Sequence, residues 1–435
     1  MPEGPGSFHT RFRWVFCQLE TLRTCLPQNI PHVLSELPAS LDETYERVLK
    51  EIGMANRHHA YRLLQCLTVA SRPLRVDELA EILALDFDNT KGGLPQLKED
   101  WRWKDQQEAV LSTCSSLIAV VKNGGQRVVQ FSHFSVKEFL TSDRLAASSP
   151  EVSHFSILPE PAHTVIVKAC LGILLQSDND VGDVKGKSSP LAKYAAEHWV
   201  DHARFKKVST QIEDGMRLLF DPAKPYFEAW LELYDMDRGW WDTFAGYGKK
   251  PRGSPLYYAS TCGLYNMTAH LIAKYPMDVN AALGRYLSPL VAALHKRHFD
   301  VAELLYQRNA DVDIIGYRNR TPLHAAALDG LVDIAEWLLV HGADAMLQHD
   351  DGTTPLHDAT SYGRFEFVRM LLRHDISVNA KDNRNCTSLH LASKIAHVEI
   401  VQLLLQYGAD IGARNLSHST PLHLASRVSD KLRDS

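Results

Sequence analysis

Four histidines, His324, His357, His390 and His423, recur every 33 residues, and imidazole is a common metal ligand. Each holds the same helical position in its repeat, so stacking would set the four in a row roughly 10 Å apart, the packing distance of helices. Ligands to a single zinc must all lie about 2 Å from it. That row therefore suits imidazoles bonded to neighbouring loop backbones better than a shared ion. Asp350-Asp351-Gly352 offers a carboxylate pair of the kind used in acid–base or metal chemistry, but it occupies a turn, where a solvated loop tip is the plainer reading.

Other chemistry is no better supported. A phosphate-cradling loop needs Gly, four residues, then Gly-Lys and Ser or Thr. Gly182-Asp-Val-Lys-Gly186-Lys187-Ser188 is one residue short, and it follows the polar stretch 177–180 where a hydrophobic strand is required. His133, Asp143 and several serines are present, yet no Gly-x-Ser-x-Gly elbow surrounds a serine. Cys17, Cys25, Cys66, Cys114, Cys170, Cys262 and Cys386 are odd in number and widely spaced, as free thiols in a reducing compartment would be. The expectation is a non-enzymatic chain with no cofactor, no metal and no small-molecule substrate.

The elements that position these residues follow from the same period. Ser288-Pro-Leu, Thr321-Pro-Leu-His, Thr354-Pro-Leu-His, Thr387-Ser-Leu-His and Thr420-Pro-Leu-His are spaced by 33, with Ser254-Pro-Leu-Tyr 34 residues upstream. Thr or Ser caps a helix and Pro suits its first position, where a missing N–H costs nothing. Gly330 and Gly363 close the first helix of their repeats, and Ile334, Leu338 and Leu339 mark a second, buried helical face. Two residues before each Thr the turn needs positive φ, supplied by Asn319, Gly352, Asn385 and, least favourably, His418. The pattern resembles the ankyrin signature and implies five full repeats and part of a sixth, a stack that binds partners through a concave face and protruding fingers. The repeat starting at Ser288 departs from it, with Arg297 where its neighbours carry Gly330 and Gly363.

The first half reads as helical with one compact β element. Helical spacing marks Tyr45 to Ile52 and Ala60 to Ala70, and a third helix begins at Val76. A charged, Gly-containing loop is expected from Asp86 to about Asp105. Gln106 to Ser116 is a fourth helix, and Leu117-Ile-Ala-Val-Val, a turn at Asn123-Gly124-Gly125, and Val128-Val-Gln-Phe-Ser form a hairpin. Helices followed by a hairpin make a winged helix. The fourth helix contains no Arg or Lys, which argues against major-groove DNA reading. The aromatics Tyr226, Phe227, Trp230, Trp240 and Trp241 are expected in the core that seats the first repeat.

Leu37-Pro-Ala-Ser-Leu-Asp-Glu-Thr-Tyr-Glu-Arg-Val-Leu, Arg72-Pro-Leu-Arg-Val-Asp-Glu-Leu-Ala-Glu, Phe131-Ser-His-Phe-Ser-Val-Lys-Glu-Phe-Leu, Tyr194-Ala-Ala-Glu-His-Trp and Pro225-Tyr-Phe-Glu-Ala-Trp resemble the segment between the NACHT nucleotide-binding domain and the ankyrin repeats of fungal NLR-like proteins. The resemblance implies a C-terminal NACHT remnant at 1–36, a winged helix at 37–147, a helical linker domain at 148–249 jointed near Gly246 to Gly253, and ankyrin repeats at 250–435. The fold class expected is mainly α, a winged-helix and helical base followed by an ankyrin solenoid. A start at the tail of one module and a stop inside a repeat imply a fragment or short form of a longer signalling protein. The alternative function is a nucleotide-dependent switch whose ATPase module lies upstream.

Net charge is −5 over 435 residues and −2 from Ser254 onward, so nothing would concentrate the array on nucleic acid or an anionic membrane. No apolar run approaches the 18 or so residues of a membrane span. The reading is a soluble, cytoplasmic chain that binds a protein partner of unknown identity. Its candidate contacts are Tyr317, Arg318 and Arg320 on one finger, His349, Asp350 and Asp351 on the next, Lys381, Asp382 and Arg384 on the third, and Arg414 on the last, since exposed aromatic and Arg groups are often central to interfaces.

Overall fold

A computed structural model describes residues 40–91, 93–114, 116–176, 189–237, 253–282, 284–374 and 376–426. They fall into two compact units divided at residues 238 and 239. The segment 1–36, the near-miss phosphate loop 182–188, Trp240 and Trp241, the joint 246–252 and the tail 427–435 lie outside the described residues.

In the first unit, α1 (Leu41–Glu51) starts where Ser40 Oγ accepts the Glu43 N–H, with Asp42 and Glu43 in the first turn and so at the favourable end of the helix dipole. Next come α2 (Arg57–Val69) and α3 (Val76–Leu83). Glu78 accepts the Arg75 N–H at 2.7 Å and a two-pronged bond from Arg72 at 2.6 and 2.9 Å. Its fully buried side chain is thus both cap and ion-pair partner.

The stretch after α3 is not the loop expected from its charges. It forms a bulged hairpin, β1 (Leu85–Lys91) against β2 (Leu94–Leu97). Beyond it, α4 (Gln106–Cys114) leads into β3 (Ile118–Asn123) and β4 (Gln126–Phe131), paired from Ile118 with Phe131 to Asn123 with Gln126. Gly124 and Gly125, at φ 54° and 83°, make the two-residue turn, as the primed hairpin turns require. Arg75 bridges to Val128, adding the third short strand of a winged helix. Then α5 (Phe134–Leu140) buries Val136, Phe139 and Leu140.

The longer helices that complete this unit are α6 (Pro159–Leu174), α7 (Ala192–Ala203), α8 (Glu213–Leu219) and α9 (Tyr226–Leu233). Phe227 and Trp230 pack with Trp199 and Phe220 in the core, the two indoles edge-to-face at 5.6 Å, and Trp230 Nε1 donates to the Ala196 carbonyl. Strand β2 lies directly on α6 and α8. A Cβ at Gly172 would stand 2.6 Å from the Pro95 carbonyl oxygen, and one at Gly215 would stand 2.7 Å from Leu94 Cδ1.

The second unit is a run of helix pairs: α10 (Pro255–Thr261) and α11 (Tyr265–Lys274), α12 (Pro289–His295) and α13 (Phe299–Tyr306), α14 (Pro322–Asp329) and α15 (Val332–Val340), α16 (Pro355–Ser361) and α17 (Phe365–Leu372), α18 (Ser388–Ile395) and α19 (Val398–Gln406). A last inner helix, α20 (421–426), ends the described residues. The architecture is mainly α, a winged-helix base followed by repeats. Gly330 closes α14 at φ 73°, and the same left-handed place is held by Gly363, Arg297 and Ala396 in other repeats. Leu323, Ala326, Ala327 and Leu338 are fully buried between neighbouring pairs.

Candidate protein-interaction surface

The recurrent histidines are parts of the frame. Thr321, Thr354 and Thr387 each donate their backbone N–H to Nδ1 of the histidine three residues on, at 3.3, 3.2 and 3.1 Å. An Nδ1 that accepts leaves the proton on Nε2, which donates to a carbonyl 29 residues ahead: His324 to Thr353, His357 to Cys386 and His390 to Ser419, each at 3.1 Å. One imidazole thus caps its own helix and ties it to the next repeat. Burial lowers the His357 pKa and holds His324 down to about 4. His423 makes the same cap to Thr420 but is exposed on its other side.

Between the helix pairs, four turns project as fingers. Gly316 N–H bonds to Arg320 O, His349 to Thr353, Asp382 to Cys386 and Asn415 to Ser419, at 2.8 to 3.1 Å. The residue opening each turn closes it with its side chain where it can. Asp382 Oδ1 accepts the Arg384 and Cys386 N–H groups, and Asn415 Oδ1 accepts those of Ser417 and Ser419. His349 Nδ1 accepts from Asp351 N–H while Nε2 meets Thr353 Oγ1. Gly316 has no side chain to give, and there Arg318 and Asn319 both adopt positive φ, 62° and 57°.

The fingers are joined to one another by main chain. Asp350 N–H donates to Arg318 O, Asn383 N–H to Asp351 O and Leu416 N–H to Arg384 O, at 3.1, 3.0 and 2.9 Å. Side chains reinforce the first rung: Arg318 meets Asp351 at 2.9 Å and Asn319 Nδ2 donates to Asp350 at 2.7 Å. Arg318, Asp350, Asp351, Lys381, Arg384 and Arg414 are exposed along this ladder. Tyr317 stands in the first turn, and its side chain lies outside the described residues.

Three expected contacts are placed differently. His349 is 5% exposed because its ring closes the turn. Asp382 is half-buried for the same reason. Arg320 is half-buried with Nε shielded, close enough to act on buried Asp358, whose carboxyl is pushed above the usual range by burial first of all. The ends of the inner helices add residues that fingertip reasoning missed: Tyr362 after α16 and Ile395 at the end of α18, 58% and 44% exposed, stand one repeat apart. Their signal was available, since 329, 362 and 395 share one column that holds no common residue type.

Comparison with known families matches this geometry. A model described as ankyrin repeats (3 copies) covers residues 323–415, and one for ankyrin repeats (many copies) covers 290–339. The array is built of ankyrin repeats. A third model, the winged helix domain of GPI inositol-deacylase, covers 45–151, from within α1 to beyond the end of α5. Among curated proteins, the chain is 33% identical over 296 residues to "Azaphilone pigments biosynthesis cluster protein L" of Monascus ruber, 64% of this chain and 61% of that protein. It is 38% identical over 72 residues to "Alpha-latrocrustotoxin-Lt1a" of Latrodectus tredecimguttatus, 16% of this chain and 5% of the toxin. The chain therefore spans less than two thirds of the length of either. Among the described residues, no helix is long and apolar enough to cross a membrane.

Proposed function

We propose that this chain is a non-enzymatic scaffold that holds a protein partner through its ankyrin fingers and concave face. The observation behind this reading is the ladder: four successive fingers joined by main-chain bonds present exposed charged side chains at fixed positions. A surface already rigid before binding loses little conformational freedom on association. The winged-helix unit that precedes the repeats in the chain supports a wider reading as part of a cytoplasmic, NLR-like signalling protein whose nucleotide-binding module lies upstream.

Cross-linking mass spectrometry on the full chain, purified from its native cells with bound proteins, tests the first part. Cross-links should cluster on residues 316–320, 349–353, 382–386 and 415–419 and on the concave helices. Partner retention should fall in a variant carrying Arg318→Ala, Arg384→Ala and Arg414→Ala. Cross-links confined to the winged-helix unit would refute the proposal.

A further inference from the structure

We infer that the last two fingers are a docking strip for an acidic, extended peptide segment carrying apolar side chains. This deepens the reading that the fingers hold a protein. It starts from a difference between the two ends of the ladder. On the first finger the exposed cation Arg318 is matched by Asp351 at 2.9 Å. Lys381, Arg384, Lys394 and Arg414 are all exposed, and none has a carboxylate within ion-pair distance among the described residues. Nearby acids are engaged with backbone: Asp382 Oδ1 accepts two N–H groups of its own turn, and Asp410 Oδ1 accepts from Gly412.

Lys381 immediately precedes the third turn and Arg384 lies within it, Arg414 immediately precedes the fourth, and Lys394 lies on α18. Arg384 and Lys394 both lie close enough to Cys386 to act on its thiol. Arg384 O accepts the Leu416 N–H at 2.9 Å, which sets the apolar tip of the last finger directly beside the cationic tip of the one before. Leu416 is 63% exposed and Ile411, in the same repeat, 70%. Cationic and apolar side chains are thus both exposed in the repeats that carry the last two fingers.

Unmatched cations beside apolar tips call for carboxylates beside apolar side chains, because opposite charges steer and orient a partner while apolar burial holds it. The spacing fits an extended strand. Fingers about 10 Å apart match three residues of a chain that rises about 3.3 Å per residue. A nucleic acid is the weaker occupant: its backbone would meet only these few cations on a chain of net charge −5.

The probe is a fluorescein-labelled peptide of about nine residues, three per finger step, repeating Glu-Glu-Leu, titrated with the full chain and read by fluorescence anisotropy. Saturable binding is expected at low salt, weakened by added salt and by on the order of tenfold or more in Lys381→Gln/Arg384→Gln/Arg414→Gln. Leu416→Ser, which keeps every charge, should weaken it by a smaller factor. Matching thermal unfolding midpoints would show that the variants fold. No saturable binding to the wild-type chain, binding indifferent to the triple change, or equal affinity for a Lys-Lys-Leu peptide or an oligothymidylate strand would overturn the inference. If the native partner cross-links to the first two fingers or the concave face while this peptide fails, the scaffold reading stands and only the acidic strip falls.

Discussion

His202 Nδ1 lies 2.9 Å from His163 Nδ1, a contact that one ring makes as donor and the other as acceptor. Ser71 N–H donates to Tyr194 Oη, and that hydroxyl is hydrogen-bonded to His202 Nε2 at 2.9 Å. Both ring nitrogens of His202 are thus engaged inside the core. The imidazole is neutral and 1% exposed, and burial, followed by the charges of His163 and His198, holds its pKa down to about 3.

A depressed histidine pKa fixes the sign of a pH effect. The unfolded chain takes up this proton below about pH 6.5, the folded chain only near its own lower value. The contribution to stability is complete above the unfolded pKa and is lost progressively as pH falls toward about 3. The urea midpoint of the first unit, followed by the fluorescence of Trp199 and Trp230, should drop steadily from pH 7 to 4. His202→Gln should lower the midpoint at pH 7 and flatten the pH slope, and an unchanged slope would count against the buried neutral imidazole.

The histidine ties of the array should grade by position. Replacing His324, His357 or His390 by Ala strands a carbonyl of the next repeat and removes a cap, a cost of about 1–3 kcal/mol each. His423→Ala should cost under about 1 kcal/mol, since its exposed ring supplies a cap alone. Urea unfolding of the four variants measures this, and equal losses at all four sites would contradict the inter-repeat role.

Ala396 ends α18 at φ 61°, ψ 35°, a region that costs an L-residue roughly 1–2 kcal/mol and glycine little. Ala396→Gly should therefore raise stability by about 1 kcal/mol, even though glycine usually weakens helical segments. Equilibrium unfolding of the pair decides it.

Gly172→Ala would drive a methyl against the Pro95 carbonyl. The backbone of β2 must then shift off α6, at a cost of about 1–3 kcal/mol. Hydrogen exchange should rise locally in residues 85–97, with the repeats of the second unit unaffected.

The turns and caps were legible because they are local. A residue at positive φ or a Thr before a Pro announces its own geometry, and even His418 takes the left-handed place assigned to it, at φ 57°. Strands β1 and β2 were not legible. Asp86, Asp88 and Asn89 read as loop, and the pairing is held by Leu94 and Pro95 lying on helices more than 70 residues ahead. His349 was misplaced for a related reason: its inward orientation depends on the Thr353 hydroxyl and the Asp351 N–H receiving it. Likewise, which finger cations are matched depends on contacts between repeats, which no single repeat can reveal.

Because each rung between fingers is made by N–H and C=O groups that every residue type there carries, the identity of the side chain at the rung position is left out of the rung. Tyr317, Asp350, Asn383 and Leu416 occupy the same rung position with unrelated chemistry, and three of them form the rung through the same backbone donor. The strip behaves like movable type in a fixed frame: a lineage can respell what the fingers recognise, one letter at a time, without recasting the page that holds them.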